Sequence, residues 1–264
     1  MIEIEGLIQV FNRRAANEVV ALRNVSVTFQ PGEFVTVVGA NGAGKSTFLN
    51  ALSGVYVSDE GAIRIDGLDV SKTPEHVRAR QIGRVFQNPL DGSAGSLSVE
   101  ENLTLALLRS SPRTLRFAIT QRRRAEVRDE LSRLRMGLED RLSVPVRLLS
   151  GGQRQALALL MAGVCRPKLL LLDEHLAALD PIVAQVVLDL TCRLSKEWGS
   201  TTLMVTHNME QALRVGDRTL LMHAGQILLD FHGEARARMT VRQLVEEFHR
   251  ARGEVLADDR LLLA

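Results

Sequence analysis

The chain has few aromatic residues, 4% of its 264 positions, and two cysteines, Cys165 and Cys192. These cysteines lack metal-ligand spacing, which excludes a zinc-knuckle scaffold and a disulfide framework. They read as the free, reduced thiols of a cytosolic protein. Neither sign of charge dominates: the formal net charge is +2, so there is no global signature of nucleic-acid binding. No apolar run approaches the roughly 20 residues needed to cross a bilayer. The opening MIEIEGLIQV is alternating and acidic, unlike a secretory signal. There is no fixed-period repeat and no low-complexity linker. What is present is 45% hydrophobic and 24% charged, ordinary for a globular protein, with length for one large domain or two coupled lobes.

Two hydrophobic patterns divide the chain. Ile2 and Ile4, then Val25, Val27 and Phe29, then Ile63 and Ile65 alternate with polar residues and predict half-buried antiparallel strands. Asp66-Gly67 follows as a hairpin-type turn. By contrast FVTVV from Phe34, LLLL from Leu169 and TTLMV from Thr201 are apolar throughout, as in strands buried on both faces of a parallel sheet. Between them lies a helix-like, arginine-rich region. Arg109 to Arg135 holds nine arginines against three acids, which reads as a solvated helical face or as a surface for a partner or anionic headgroups. MTVRQLVEEFHRAR from Met239 places Val241, Leu244, Val245 and Phe248 at helical spacing, with Thr240 and Gln243 as a capping box. That helix is expected to dock on the core, and GEVLADDRLLLA beyond it to fray.

Chemistry enters with GANGAGKST, Gly39 to Thr47, between an apolar strand and a helix-like segment. Gly39, Gly44, Lys45 and Ser46 fit the phosphate-binding loop pattern. Glycines let the backbone wrap an anion, and amides at a helix start bind it. Lys45 is expected to reach the β- and γ-phosphates, and the Ser46 hydroxyl to meet Mg²⁺. The bland alternative is a glycine turn between strand and helix. Such a site needs a second metal contact from a strand end, and Asp173, closing LLLLD, suits it. Glu174 follows directly and could activate the attacking water. Taken alone, the two acids would equally suit a helix start or a turn.

A third motif, LSGGQ from Leu149 to Gln153, makes the chain resemble the ATP-binding subunit of an ABC transporter. The resemblance covers nearly the whole chain in order: GANGAGKST, VFQNP with Gln87, LSGGQRQ, LLLLDE, LAALD with Asp180, and VTHNMEQAL with His207. It implies an α/β fold, a P-loop NTPase core of RecA-like type, with an N-terminal antiparallel β-subdomain and an inserted α-helical subdomain. The expected division is 1–87 and 165–230 for β-subdomain and ATPase core, 88–164 for the helical part and 231–264 for a C-terminal helical tail. ATP and Mg²⁺ are the implied cofactors. Nucleotide contacts are expected from Phe11, Gly39, Asn41, Gly42, Ala43, Gly44, Lys45, Ser46, Thr47, Ser150, Gly151, Gly152, Gln153 and Asp180. Metal contacts are expected from Ser46, Gln87 and Asp173, and catalytic roles for Glu174, His207, Gln87 and Lys45.

Each assignment has a plainer counterpart. Ser150 is a good N-cap, with Gly151 and Gly152 leaving amides bare, so SGG is either a capping sequence or a γ-phosphate site. Gln87 alone would be a turn residue and His207 a structural histidine. In the resembled family an aromatic near Phe11 stacks on adenine, and the plainer alternative is a core phenylalanine. His175 departs from the family, where proline usually follows the two acids. A histidine there could titrate, and it is read as tuning the loop rather than as catalytic. DEH, RVFQNP and RQALALLMA resemble a subgroup of uptake subunits linked to aromatic amino acids.

The resemblance implies an ATPase dimer that sandwiches ATP and drives a separate integral membrane permease from the cytoplasmic face of the membrane. Amino-acid import is favoured, with an extracytoplasmic solute-binding protein in the same system and no nucleic acid. The alternative is a soluble ABC-type ATPase for cluster assembly or a DNA-associated adaptor. DNA-repair relatives carry coiled coils or CxxC pairs, absent here, and translation factors usually carry two cassettes, whereas one P-loop occurs here.

Overall fold

The computed structural model describes residues 1–109 and 117–262. In chain order, β1 (Ile2–Phe11), β2 (Val19–Phe29) and β3 (Phe34–Val38) precede α1 (Lys45–Ser53). Next come β4 (Glu60–Ile65), β5 (Leu68–Asp69), α2 (Glu75–Arg78) and β6 (Ile82–Val85). The helices α3 (Val99–Leu108), α4 (Gln121–Ser132) and α5 (Gly151–Gly163) follow, with short 3-10 turns at Pro89–Gly92 and Val146–Leu148. Then β7 (Leu169–Asp173), α6 (Pro181–Trp198), β8 (Thr201–Val205) and α7 (Met209–Arg214) lead to β9 (Arg218–His223) and β10 (Gln226–His232). The chain ends in α8 (Gly233–Ala237) and α9 (Val241–Leu262). It forms two compact units, residues 1–75 with 203 onward, and residues 76–202.

In the first unit an antiparallel sheet runs β2-β1-β4-β5. Alternation does what period two requires: Ile2, Ile4, Val25, Phe29, Ile63 and Ile65 are buried while their neighbours face outward. Asp66 and Gly67 both adopt positive φ, 49° and 78°, the two-residue turn that matches strand twist. The second sheet of this unit has the order β10-β9-β3-β8, with β3 parallel to β9 and β10 antiparallel to it. β3 is buried along its whole length. Its one polar side chain, Thr36, is satisfied, with Oγ1 2.9 Å from Thr219 Oγ1 and 3.1 Å from the Ala212 carbonyl.

The C-terminal helix docks on this unit through Leu244, fully buried with Val38, Ala212 and Leu221, while Met239 and Phe248 pack against the cluster. Its capping box forms as the spacing predicts: Gln243 N–H donates to Thr240 Oγ1 at 3.3 Å, and Thr240 N–H donates to Gln243 Oε1 at 2.9 Å. Two expectations change. Val241, in the first turn, is 40% exposed rather than docked. The helix also continues through Gly253 to Leu262, where the sequence reading ends it. One glycine costs a helix only about 1 kcal/mol, and six of the nine residues beyond it, Glu254, Leu256, Ala257, Arg260, Leu261 and Leu262, are good helix formers. Residues 263 and 264 lie outside the described residues.

In the second unit β6 and β7 pair in parallel, Ile82 against Leu169 through Val85 against Leu172. The helical elements α3, α4 and α5 occupy the segment read as a helical insertion. Its arginine surplus is largely engaged. Arg124 makes a two-pronged contact with Glu100 at 2.7 and 3.1 Å. Arg133 pairs with Glu130 and Glu197, and Arg123 with Glu126. Arg113 and Arg116, part of the same count, lie outside the described residues. Among the described residues no helix is long and apolar enough to cross a membrane.

Candidate nucleotide site

The phosphate-loop residues follow β3 directly. A Cβ on Gly39 would lie 2.3 Å from the Met222 carbonyl oxygen, so only glycine lets the loop leave the strand beside β9. Gly44 has φ 96°, and its Cβ would lie 2.6 Å from the Ala21 carbonyl oxygen. Gly42, at φ 79°, has nothing within 4 Å of where a Cβ would be. A side chain there would enter the open space the loop borders. Ala43 is buried, and its carbonyl accepts from the Gly225 N–H at 3.0 Å, tying the loop to the β9–β10 turn.

The helix α1 starts at Lys45 behind Gly44, and no side chain caps it. Helix-start amides without a side-chain acceptor suit an anion. The Lys45 side chain is 6% exposed, and its ammonium donates to the Gly39 and Ala40 carbonyls at 2.8 and 3.1 Å. The cation therefore lies over the loop it would share with a phosphate. Ser46 and Asn41 are exposed at the rim, and Thr47 is half-buried. This glycine-rich cradle, with the Lys45 ammonium held over it, fits a polyphosphate.

Phe11 closes β1 and is half-buried. Its ring meets Tyr56 edge-on, with centroids 5.2 Å apart. Tyr56, just past α1, is an aromatic that sequence reasoning passed over, and its only signal was the scarcity of such rings. His207 is exposed between β8 and α7. Its neighbour Asn208 caps α7, accepting from the Gln211 N–H at 3.0 Å.

The other predicted residues belong to the second unit. The strand β7 is buried from Leu169 to Leu172 and ends at Asp173. Asp173 is nearly enclosed, and Arg84 on β6 compensates it, its guanidinium 3.3 Å from the carboxylate. Arg84 also lies over the Phe86 ring, 4.6 Å from its centroid. The sequence signal for Arg84 was a cation inside the otherwise apolar IGRVF. Glu174 leaves the strand at φ 44°, a left-handed conformation costing about 1–3 kcal/mol for a residue with a side chain. Strand alternation would send the two adjacent acids to opposite faces. That rule does not set the direction of Glu174, which is already outside the strand.

His175 is 2% exposed, and burial pushes its pKa down to about 3. The expectation that it could titrate is therefore corrected: desolvation keeps the ring neutral. Its Nε2 lies 3.2 Å from Thr191 Oγ1, and Thr191 Oγ1 donates to the Val187 carbonyl at 2.8 Å.

Ser150 caps α5 in a reciprocal box. Gln153 N–H donates to Ser150 Oγ at 3.3 Å, Ser150 N–H donates to Gln153 Oε1 at 3.2 Å, and Gln153 Nε2 donates to the Met136 carbonyl. Gly151 is half-buried, but Gly152 is buried, and a Cβ on it would lie 2.4 Å from a methyl of Val183. Gly152 thus also serves close packing on α6, a role the capping reading of SGG did not include. Asp180 caps α6, accepting from the Val183 N–H at 3.0 Å, with Pro181 in the first turn. Gln87 is exposed between β6 and the 3-10 turn that follows. Ser150→Ala should remove the box and cost about 1 kcal/mol of unfolding free energy in a urea titration. An unchanged midpoint would mean that the cap carries no stability.

Comparison with known proteins agrees with these features. The family model described as "ABC transporter" matches residues 22–177. A tyrosine transport ATP-binding protein of Clostridioides difficile is 38% identical over 251 residues, covering 95% of this chain and all of that protein. The methionine import ATP-binding protein MetN of Corynebacterium efficiens is 35% identical over 86% of this chain, which spans 61% of MetN. A dimeric post-hydrolysis structure of the ATP-binding cassette MJ0796, bound to ADP and Pi, superposes with a TM-score of 0.75 at 26% identity, over 88% of this chain and 98% of that one. The cradle at α1, the capped LSGGQ helix and these matches place the chain in the ABC transporter family, as a cassette subunit that binds and hydrolyses ATP.

Proposed function

We propose that this cassette powers uptake of tyrosine or a chemically similar amino acid through a separate integral membrane permease. The observation that carries the reading is the 38% identity to a tyrosine transport ATP-binding protein over 95% of this chain and all of that protein. Two copies would sandwich two ATP molecules at the cytoplasmic face of the membrane. Each would offer its P loop to the Ser150–Gly151 helix start of the other. The helical segment 88–164 would carry the permease contact, with Gln87 as its hinge. An extracytoplasmic protein would deliver the solute.

In the proposed site, Phe11 and the loop Gly39–Thr47 hold the nucleotide, and Lys45 binds the β- and γ-phosphates. Ser46, Gln87 and Asp173 offer hydroxyl, amide and carboxylate oxygens, the hard donors that suit Mg²⁺. Among the described residues no group of three or more His, Cys, Asp or Glu side chains could hold a metal. A Mg²⁺ there would also take phosphate and water ligands, the usual habit of this ion. When bound, the metal would neutralise developing phosphate charge. Glu174 would take the proton of the attacking water, and His207 would hydrogen-bond the γ-phosphate.

Deleting the gene should abolish energy-dependent uptake of labelled tyrosine by intact cells, and wild-type protein, but not Lys45→Ala, should restore it. Unchanged uptake of tyrosine, phenylalanine and tryptophan in the deletion strain would overturn the solute assignment. A native chain that never co-purifies with a membrane protein would overturn the transport reading itself.

A further inference from the structure

We infer that His175 is a positioning residue for ATP hydrolysis: its ring, held through Nε2 by Thr191 on α6, fixes the turn that aims the Glu174 carboxylate. The inference rests on the reading of Glu174 as general base, so its test treats the two separately.

The geometry defines the hydrogen bond and its direction. Thr191 has one hydroxyl proton, and the Val187 carbonyl accepts it at 2.8 Å. At its 3.2 Å contact with His175, Thr191 Oγ1 must therefore act as acceptor. Nε2 is then the protonated nitrogen, and the ring is the neutral Nε2–H tautomer. Enclosure at 2% exposure favours that neutral form, and Thr191 is fully buried. A neutral donor meeting a spent hydroxyl is a specific pairing that neither partner can exchange with water.

Glu174 needs such a brace because it stands between a rigid strand and a turn in a conformation its side chain disfavours. On one side β7 is locked by four buried leucines. On the other, the Ala177 N–H donates to the Glu174 carbonyl at 3.0 Å, closing a turn that carries His175 and Leu176 inward. Leu176 supplies apolar burial, which has no preferred direction. The His175–Thr191 bond supplies direction, and so fixes the rotation of the turn. Hydrolysis depends on a base aimed within a fraction of an ångström, whereas nucleotide affinity comes mainly from the P loop. A loosened turn should therefore slow the chemical step and leave binding alone.

The test uses the full chain, with ATP affinity measured by titration and hydrolysis by single turnover. Thr191→Val keeps shape but loses the acceptor, and should slow hydrolysis on the order of tenfold to a hundredfold with unchanged ATP affinity. Thr191→Ser keeps the hydroxyl and should restore the rate. His175→Ala should behave like Thr191→Val, and the double variant should be no slower than the slower single one. Should His175→Ala fail to fold, the Val and Ser variants still decide. Wild-type turnover in Thr191→Val, or multiplying losses in the double variant, would overturn the proposal. Glu174→Gln, assayed in parallel, separates the premises. If it turns over normally, the base assignment fails whatever His175 does. If it is inactive while Thr191→Val is normal, only the positioning role fails.

Discussion

Glu174→Gln is expected to bind ATP, pair with a second ATP-loaded copy, and stall before hydrolysis. The substitution preserves size and hydrogen-bonding shape but removes the ability to accept a proton. Its two chain neighbours are engaged elsewhere: Asp173 is paired with Arg84, and His175 is buried and engaged with Thr191. General base catalysis contributes about a hundredfold to ten-thousandfold, so single-turnover hydrolysis should fall by at least the lower figure. Binding should be retained, because the P loop that supplies phosphate contacts is unchanged. The decisive measurement is size-exclusion chromatography with ATP and Mg²⁺ beside the single-turnover assay. A nucleotide-dependent dimer with slowed hydrolysis agrees with the assignment. Near-normal turnover would make Glu174 a structural neighbour and move the search to His207, which is exposed at the start of α7.

Local devices were legible in the sequence because they are encoded by residues a few positions apart. The Asp66-Gly67 turn, the Ser150 N-cap and the Thr240–Gln243 box all form as the sequence predicts. The buried parallel strands were legible for a different reason: three apolar runs without alternation leave no solvent face. The compensation of Asp173 was not, because Arg84 lies 89 positions away and meets it only through the β6–β7 register. The role of Gly152 was hidden likewise, since its lack of a side chain answers to Val183 on another helix. His175 shows the limit most clearly. Its residue type suggested titration, and only burial beside Thr191 shows a neutral donor. Family resemblance supplied the order of motifs, but it could not supply these contacts, and at His175 this chain departs from the common pattern.

Lys45→Ala should abolish ATP hydrolysis and remove most nucleotide affinity without unfolding the protein. In the ligand-free loop the ammonium donates to the Gly39 and Ala40 carbonyls, both backbone groups near its own helix. Losing those two local bonds would affect stability modestly, because Ala40 is exposed and Gly39 half-buried, so water can reach their carbonyls. The same ammonium can turn from the carbonyls to phosphate oxygens, where it is the P loop's own cation. Hydrogen bonds to charged groups are worth about 1.5–3 kcal/mol each, so losing two should weaken Mg-ATP binding at least about a hundredfold. Lys45→Arg should not rescue, since a planar fork cannot take the place of a compact ammonium in a loop this tight. Calorimetric titration with Mg-ATP reads affinity, and a thermal melt without nucleotide reads the fold. A melt near that of the wild type together with lost binding is the expected pair. Wild-type affinity in a folded Lys45→Ala protein would contradict the phosphate-site assignment and, with it, the roles proposed for Ser46, Asp173 and Glu174.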